Sequence, residues 1–316
     1  MKQIQIRPKM LYFMHIPWEW IKQRPHFIAE GLSTYYDITV VVRKEFRGAE
    51  TINKSNINIK SLFRFPFERV PIIAKINSLL YRIQTRSLAR NTDIIWLTSP
   101  LQIDNIPTFS DKTVVYDCMD DMIEFPISNQ MKNAILQKER RLFENASFVF
   151  ASSAYLKNKL IIRYGEREVF VVNNALRSLP SSQETVKIPS SLTFYFENKD
   201  RIKLVYIGTI SCWFDFELLK LIVERFNFID IYLFGPTEIS IPQIEHLYYC
   251  KSIEHNLVFP VMKEADILIM PFIVNELIRS VNPVKLYEYV ASGKPCIAPL
   301  YGAVSYTHLT LPTKLE

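Results

Sequence analysis

Between Pro271 and Pro299 the sequence reads PFIVNELIRSVNPVKLYEYVASGKPCIAP. A strand is expected to end at Met270, a polar loop to follow, and a helix to open at Pro283. Proline in a first helical turn leaves the N–H groups of Val284 and Lys285 without helical acceptors, and the helix dipole makes them an anion site. Lys285 adds a formal positive charge beside them. Glu288, one turn on, can accept hydrogen bonds from sugar hydroxyls. Phosphate donors next to a hydroxyl acceptor suit a nucleotide sugar, so Asn282, Pro283, Val284, Lys285 and Glu288 form the candidate donor-binding group. The alternative is a solvated helix carrying a Lys–Glu pair at i, i+3.

A second constellation is Asp117, Asp120 and Asp121, clustered at the end of an apolar run. Such carboxylates could bind a divalent cation; alternatively they border a ligand cleft or cap the next segment. His15, after the first expected strand, could face a ligand or serve as a hydrogen-bonded structural histidine. His15, Asp120 and Asp121 are the candidate catalytic groups, and no metal site is assigned.

Absences narrow the chemistry. There is no GxGxxG, no GxxxxGK[ST], no HExxH and no GxSxG, and the chain has 7 glycines in all. A dinucleotide fingerprint, a P-loop, a zincin site and a nucleophile elbow are therefore unsupported. Four cysteines form no CxxC pair and five histidines lie far apart, which argues against a zinc knuckle and a disulfide scaffold. No cofactor is expected, and the compartment read from this pattern is the reducing cytoplasm.

The elements that must position these groups alternate almost end to end. Strands are expected at Met10–Ile16, Asp37–Val42, Ile57–Leu62, Asp93–Thr98, Thr113–Cys118, Ser147–Ser152 and Val169–Asn173. Helices are expected at Arg24–Thr34, Pro71–Arg90, Asn129–Asn145 and Ala154–Tyr164. Residues 177–200 break this pattern with the Ser- and Pro-rich LPSSQETVKIPSSL and read as a linker. Alternation then resumes: strand Lys203–Ile207, helix Phe216–Phe226, strands Asp230–Phe234 and Ile244–Tyr249, helix His255–Lys263, strand Asp266–Met270, helix Pro283–Ala291, strand Pro295–Ala298. Most strands are continuous apolar runs, as when both faces of a parallel sheet are covered. The fold class is α/β, two Rossmann-like parallel-sheet domains at 1–176 and 201–302, which suits 316 residues of 48% hydrophobic content.

After Gly302 the text AVSYTHLTLPTKLE has neither period, and no helix follows the last strand to cover its sheet face. Residues 303–316 therefore read as a non-native tail on an incomplete second domain. The sequence leaves Ile267–Met270 and Cys296–Ala298 short of cover, and a longer chain is expected to be the more stable and active one.

Charge is uneven. Residues 1–176 carry 25 Lys and Arg against 17 Asp and Glu, whereas residues 177–316 carry 13 against 15. A basic half suits an anionic partner, though an ordinary solvated basic surface gives the same count. On a helical wheel Ile72, Ile73, Ile76, Leu79, Leu80 and Ile83 fall within about 120°. Lys75, Arg82, Arg86 and Arg90 edge that stripe, and no acidic residue lies between Pro71 and Arg90. These four residues are the candidate membrane-facing set, for an anionic inner-membrane surface; the alternative is that the isoleucine face packs on the sheet. Basic–aromatic RNA motifs are missing, so nucleic acid is not an expected partner.

Taken with these residues, LYEYVASGKPCIAP resembles the donor-binding segment of the GT-B glycosyltransferases, specifically the family 4 and group 1 type of bacterial surface-polysaccharide synthesis. VYIGTISCWFDFELLKLI resembles the first strand, phosphate-facing turn and helix of their donor domain, and FGP (Phe234 to Pro236) and ADILIMPF (Ala265 to Phe272) match later landmarks. In the first half, HIPWEWIKQRPHFIAEGLS, VVYDCMDDMIEF, ERRLFENASFVFASSAYLKNKL and VVNNA follow in the order of that group. The resemblance implies Glu288 as a ribose-binding residue, Gly208 and Thr209 at the donor phosphates, and Trp18, Arg24 and Asp117 on the acceptor side. A second glutamate common in the family falls on Ser280 here. It also implies transfer of a hexose from a nucleotide diphosphate sugar to a lipid-linked or polysaccharide acceptor, without metal and with retained anomeric configuration. A nucleotide-sugar epimerase or hydrolase of the same fold, or a basic module without catalysis, are the alternatives.

Overall fold

Along β1 (Lys9–Phe13) successive side chains point to opposite faces, and both faces are buried. Met10, Tyr12 and Met14 join Val40 and Ala29 in one apolar layer, while Leu11 and Phe13 join Val41, Leu97 and Tyr116 in the other. A strand buried on both faces needs helices on both sides, and the chain supplies them. The computed structural model describes residues 7–19, 22–43, 57–67, 70–106, 111–176, 186–302 and 304. It divides into two units, Met1–Asn173 and Asn174–Glu316.

In the first unit β2 (Asp37–Arg43), β3 (Asn58–Leu62), β4 (Ile94–Leu97), β5 (Thr113–Cys118), β6 (Phe148–Ala151) and β7 (Phe170–Val171) complete a parallel sheet of order β3-β2-β1-β4-β5-β6-β7. Its helices are α1 (Arg24–Leu32), α2 (Pro71–Arg90), α3 (Asn129–Asn145) and α4 (Ala154–Tyr164). Serine caps open α3 and α4: Ser128 accepts from the Met131 N–H and Ser153 from the Leu156 N–H.

In the second unit β8 (Ile202–Ile207), β9 (Ile229–Phe234), β10 (Leu247–Tyr249), β11 (Ile267–Ile269) and β12 (Cys296–Ile297) form a parallel sheet of order β10-β9-β8-β11-β12. Around it lie α5 (Ser190–Thr193), α6 (Phe216–Arg225), α7 (His255–Glu264), α8 (Glu276–Ser280) and α9 (Val284–Ser292). In each sheet the strand order reverses about the unit's first strand, β1 or β8. Ligands of doubly wound sheets bind beyond the carboxyl ends of the strands at such a reversal.

Several expectations are corrected. The first strand stops at Phe13: the Met14 N–H still reaches Val41 O, but the His15 N–H donates to the Thr98 side chain instead of a neighbouring strand. The strand expected from Ile244 starts at Leu247, since His246 has a φ of 62° that a strand does not admit. Part of the expected linker is structured: residues 186–196 pack on the second sheet, with Phe196 buried against Tyr232 and Phe234. The polar loop before Pro283 contains α8, opened by Asn275, whose side chain accepts from the Ile278 N–H. Leu268, Ile269 and Met270 are fully covered rather than short of partners, whereas Ile297 stays exposed. The expected tail at 303–316 lies outside the described residues apart from Val304, which is buried beside Tyr301 in the second core.

Phe196→Ala is expected to cost about 3–5 kcal/mol, the usual penalty for emptying a buried aromatic site. Urea unfolding should show that loss; a change under 1 kcal/mol would mean that residues 186–196 are a bystander segment.

Candidate functional site

The carboxyl edge of the second sheet is built around β8. The N–H of Gly208 donates to Phe234 O at 2.9 Å, so the preceding N–H, on Ile207, points to the opposite side. There β11 has already ended, its pairing with β8 reaching only Val205. The phenol oxygen of Tyr289 on α9 accepts that N–H at 2.9 Å, and the ring is fully buried. One side chain thus ties the turn after β8 to the helix carrying Lys285 and Glu288.

The turn itself is tight. Gly208 faces the Tyr206 ring so closely that a Cβ would lie 2.6 Å from its hydroxyl, and that hydroxyl donates to Thr209 O at 2.8 Å. Gly235, in the FGP segment, has a φ of 136°, and a Cβ there would come within 2.0 Å of Gly208 O. Only glycine fits at that position. Gly208 and Thr209 are both half-buried and open to a ligand.

Helix α9 begins at Val284, with Pro283 at the N-cap rather than inside the first turn. The Leu286 N–H closes on Pro283 O at 3.2 Å, leaving those of Val284 and Lys285 as the first-turn donors. Asn282 is buried, and its carbonyl accepts from the Asn174 side chain. Lys285 Nζ and Glu288 Oε2 are 2.7 Å apart, both half-buried. The i, i+3 pair expected as the alternative reading therefore exists, on the same helix end as the free N–H groups. Ser280 is buried and donates to Leu277 O at 2.7 Å.

In the first unit the candidate residues gather at the carboxyl ends of β1, β4 and β5. His15 follows β1; its Nδ1 lies 2.9 Å from Thr98 Oγ1, just beyond β4. Crowding by surrounding protein, with a smaller contribution from His26, lowers its pKa to about 4, although the residue keeps solvent access. Trp18 is half-buried, its carbonyl lies 3.1 Å from His26 Nε2, and the two rings are 5.3 Å apart.

Arg24 and Asp117 do meet, but as a buried pair. The guanidinium holds Asp117 at 2.9 and 3.3 Å and gives its third nitrogen to Val172 O at 2.6 Å. Their charges are spent on each other. Asp121 is likewise engaged, with Arg163 at 2.8 Å and Lys159 at 3.0 Å. Burial would raise its pKa, but hydrogen bonds and charge from Arg163 and Lys159 outweigh that and lower it.

Asp120 sits between those two anchored aspartates and is half-buried. Burial, opposed by Arg24 and assisted by Asp121 and Asp117, pushes its pKa up to about 6. Lys159, Arg163 and Glu139, the last accepting from Tyr116 at 2.6 Å and Tyr164 at 2.7 Å, complete the network that holds this loop. Sequence reading passes over them, because nothing in a helix's own pattern marks which of its charges turns inward. Among the described residues no group of three or more His, Cys, Asp or Glu could hold a metal ion. Lys75, Arg82, Arg86 and Arg90 all lie exposed on α2.

Two parallel sheets, each wound about its first strand, define the GT-B fold, and the chain has it. It is similar to Anabaena HepE, solved with UDP and glucose, at a TM-score of 0.67 and 14% identity over 95% of this chain and 83% of that one. Sucrose-phosphate synthase of Thermosynechococcus elongatus gives a TM-score of 0.65 and 13% identity, again over 95% and 83%. In sequence the chain is 24% identical over 309 residues, 88% of its length and 76% of the relative's, to the "Putative teichuronic acid biosynthesis glycosyltransferase TuaH" of Bacillus subtilis (strain 168). No protein-family model matches the chain.

Two outcomes are expected here. Asp117→Asn should cost about 3–5 kcal/mol in urea unfolding, because it strands the Arg24 charge in the interior; an unchanged midpoint would place Arg24 in solvent. Asp120 has a folded pKa above its ordinary 3.8, so the folded state binds more protons and loses stability as pH rises from about 4 to 6. Asp120→Asn should therefore melt higher than the parent at pH 8 and equally at pH 3.5. A parent already as stable as the variant at pH 8 would show an ordinary, solvated carboxylate.

Proposed function

We propose that this chain is a glycosyltransferase that takes a hexose from a nucleoside diphosphate sugar, with uridine as the base to test first. The observation that carries the reading is the convergence on α9. Its first-turn N–H groups, Lys285 and Glu288 share one helix end, bound through Tyr289 to the Gly208 turn. The GT-B fold and the UDP complex of HepE support it. Lys285 and the helix amides hold the diphosphate and stabilise its charge as the sugar leaves, the step where fixed donors contribute most. In the free protein Lys285 and Glu288 satisfy each other; a bound donor separates their tasks, phosphate to the lysine and ribose hydroxyls to the glutamate.

The acceptor is a lipid-linked or polysaccharide hydroxyl in cell-surface polysaccharide synthesis, in keeping with the name carried by the Bacillus relative. Asp120 and His15, at the strand ends of the first unit, orient that hydroxyl. The sugar keeps its anomeric configuration, as in the families that the motifs resemble. The protein works peripherally at the inner face of the cell membrane, on its basic first unit; no described helix is long and apolar enough to cross a membrane.

Glu288→Ala is expected to weaken UDP-glucose binding by about 1.5–3 kcal/mol, the worth of hydrogen bonds to a charged acceptor, with the fold intact. Titration calorimetry on parent and variant measures it. Unchanged affinity would remove Glu288 from the ribose site, and a parent with no affinity for any nucleotide sugar would defeat the reading as a whole.

A further inference from the structure

Helix α2 packs on the first unit with an unexpected face. The residues it buries are Asn77, Tyr81, Thr85 and Ala89, one stripe at i, i+4 spacing. Ile72, Ile76, Leu79 and Ile83 lie on the opposite side, and they are exposed: 70, 43, 60 and 62% of their surface meets solvent. The alternative reading, that this isoleucine face packs on the sheet, does not hold for Ile72, Ile76, Leu79 and Ile83. Only Ile73 and Leu80, nearer the buried stripe, are half-covered.

The segment just before the helix adds to this face. Asn77 pairs both backbone groups of Phe65, donating to its carbonyl at 3.0 Å and accepting its N–H at 2.8 Å. Gln84 does the same for Phe63, at 2.9 and 2.8 Å. Two side-chain amides thus act as the neighbouring strand for residues 63 and 65. Alternate residues of an extended segment share a side. The Phe63 and Phe65 rings meet edge to face at 5.4 Å, and both are about half exposed. Phe67 has a φ of 68°, which a bulky side chain adopts only under constraint, and its ring is 75% exposed. Neither burial nor backbone preference accounts for phenylalanine there.

Charge indicates what covers this surface. Lys75 and Arg82 edge the exposed stripe, and Arg86 and Arg90 continue along it, all exposed and with no acidic residue from Pro71 to Arg90. An exposed apolar strip edged by long cations matches the face of an anionic bilayer, where rings enter the headgroup region and the cations meet lipid phosphates. We propose that Phe63, Phe65 and Phe67 with the outward face of α2 form one membrane-docking surface, the aromatic segment inserting and the arginine end binding anionic headgroups. This deepens the peripheral placement proposed above and rests on it, while the donor chemistry stands apart.

The test is flotation of the full chain with phosphatidylcholine vesicles containing about one-third phosphatidylglycerol, the anionic fraction that gives basic segments their attraction. The parent should float with these vesicles and not with phosphatidylcholine alone. Changing Phe63, Phe65 and Phe67 together to Ser, or Arg82, Arg86 and Arg90 together to Glu, should weaken vesicle binding at least tenfold. UDP-glucose affinity should stay at the parent's value in both variants. Phe65→Trp gives a positive readout: its emission should shift to the blue on vesicles. A parent that binds UDP-glucose but ignores anionic vesicles overturns the docking surface and leaves the transferase reading standing; vesicle binding without nucleotide-sugar binding does the reverse. Equal flotation of the variants, or an unshifted tryptophan, overturns it as well. So does a parent that light scattering shows to be a dimer and the serine variant a monomer, since the face would then be a self-interface.

Discussion

The hydrogen bond from the Ile207 N–H to the Tyr289 phenol oxygen holds the second unit's edge together. A parallel strand that outruns its neighbour leaves alternate backbone groups unpaired, and a buried orphan N–H costs on the order of 1–3 kcal/mol. Here the missing partner is supplied by a helix, so closing the sheet and placing α9 become one event. The Gly208 turn, pressed against Gly235 and roofed by Tyr206, then has no freedom to retreat from the helix end. Under the proposed function, that fixed spacing is what would let backbone N–H groups meet an anion without reorganising.

The first unit uses charge where the second uses backbone. Asp117 and Asp121 flank Asp120 and are each pinned by cations, Arg24 from α1 on one side and Arg163 and Lys159 from α4 on the other. Buried pairs of this kind add little net stability, but they fix where a loop lies because breaking one strands the other. The consequence is a short segment held at both ends with a half-buried carboxylate between. Conformational order in the loop is thus obtained from the two aspartates on either side of Asp120.

Much of the architecture was legible in the sequence, for identifiable reasons. Continuous apolar runs such as VVYDC and IYLFG can only be strands covered on both faces, and their spacing with amphipathic helices produces the parallel order seen in both sheets. The helix start near Pro283 was legible, and with it the place of Lys285 and Glu288 on its first turns. What the sequence conceals is pairing across it. Arg24 and Asp117 are 93 residues apart, and nothing local says that their charges cancel. Tyr289 looks like one more apolar helix residue until the end of β11 exposes the N–H it meets. The helix wheel of α2 marks an apolar stripe correctly but cannot say which side faces the sheet, because Asn77 and Gln84 turn inward to bind the backbone at Phe65 and Phe63.

The claim on which the rest depends is that the α9 terminus and the Gly208 turn bind one diphosphate together. Hydrogen–deuterium exchange of the full chain, with and without saturating uridine diphosphate, tests it at the atoms concerned. The amides of Val284 and Lys285 and that of Thr209 in the Gly208 turn should all slow together when the nucleotide binds, while amides of β3 and α2 keep their rates. Binding that leaves either the helix end or the turn unprotected would contradict the account.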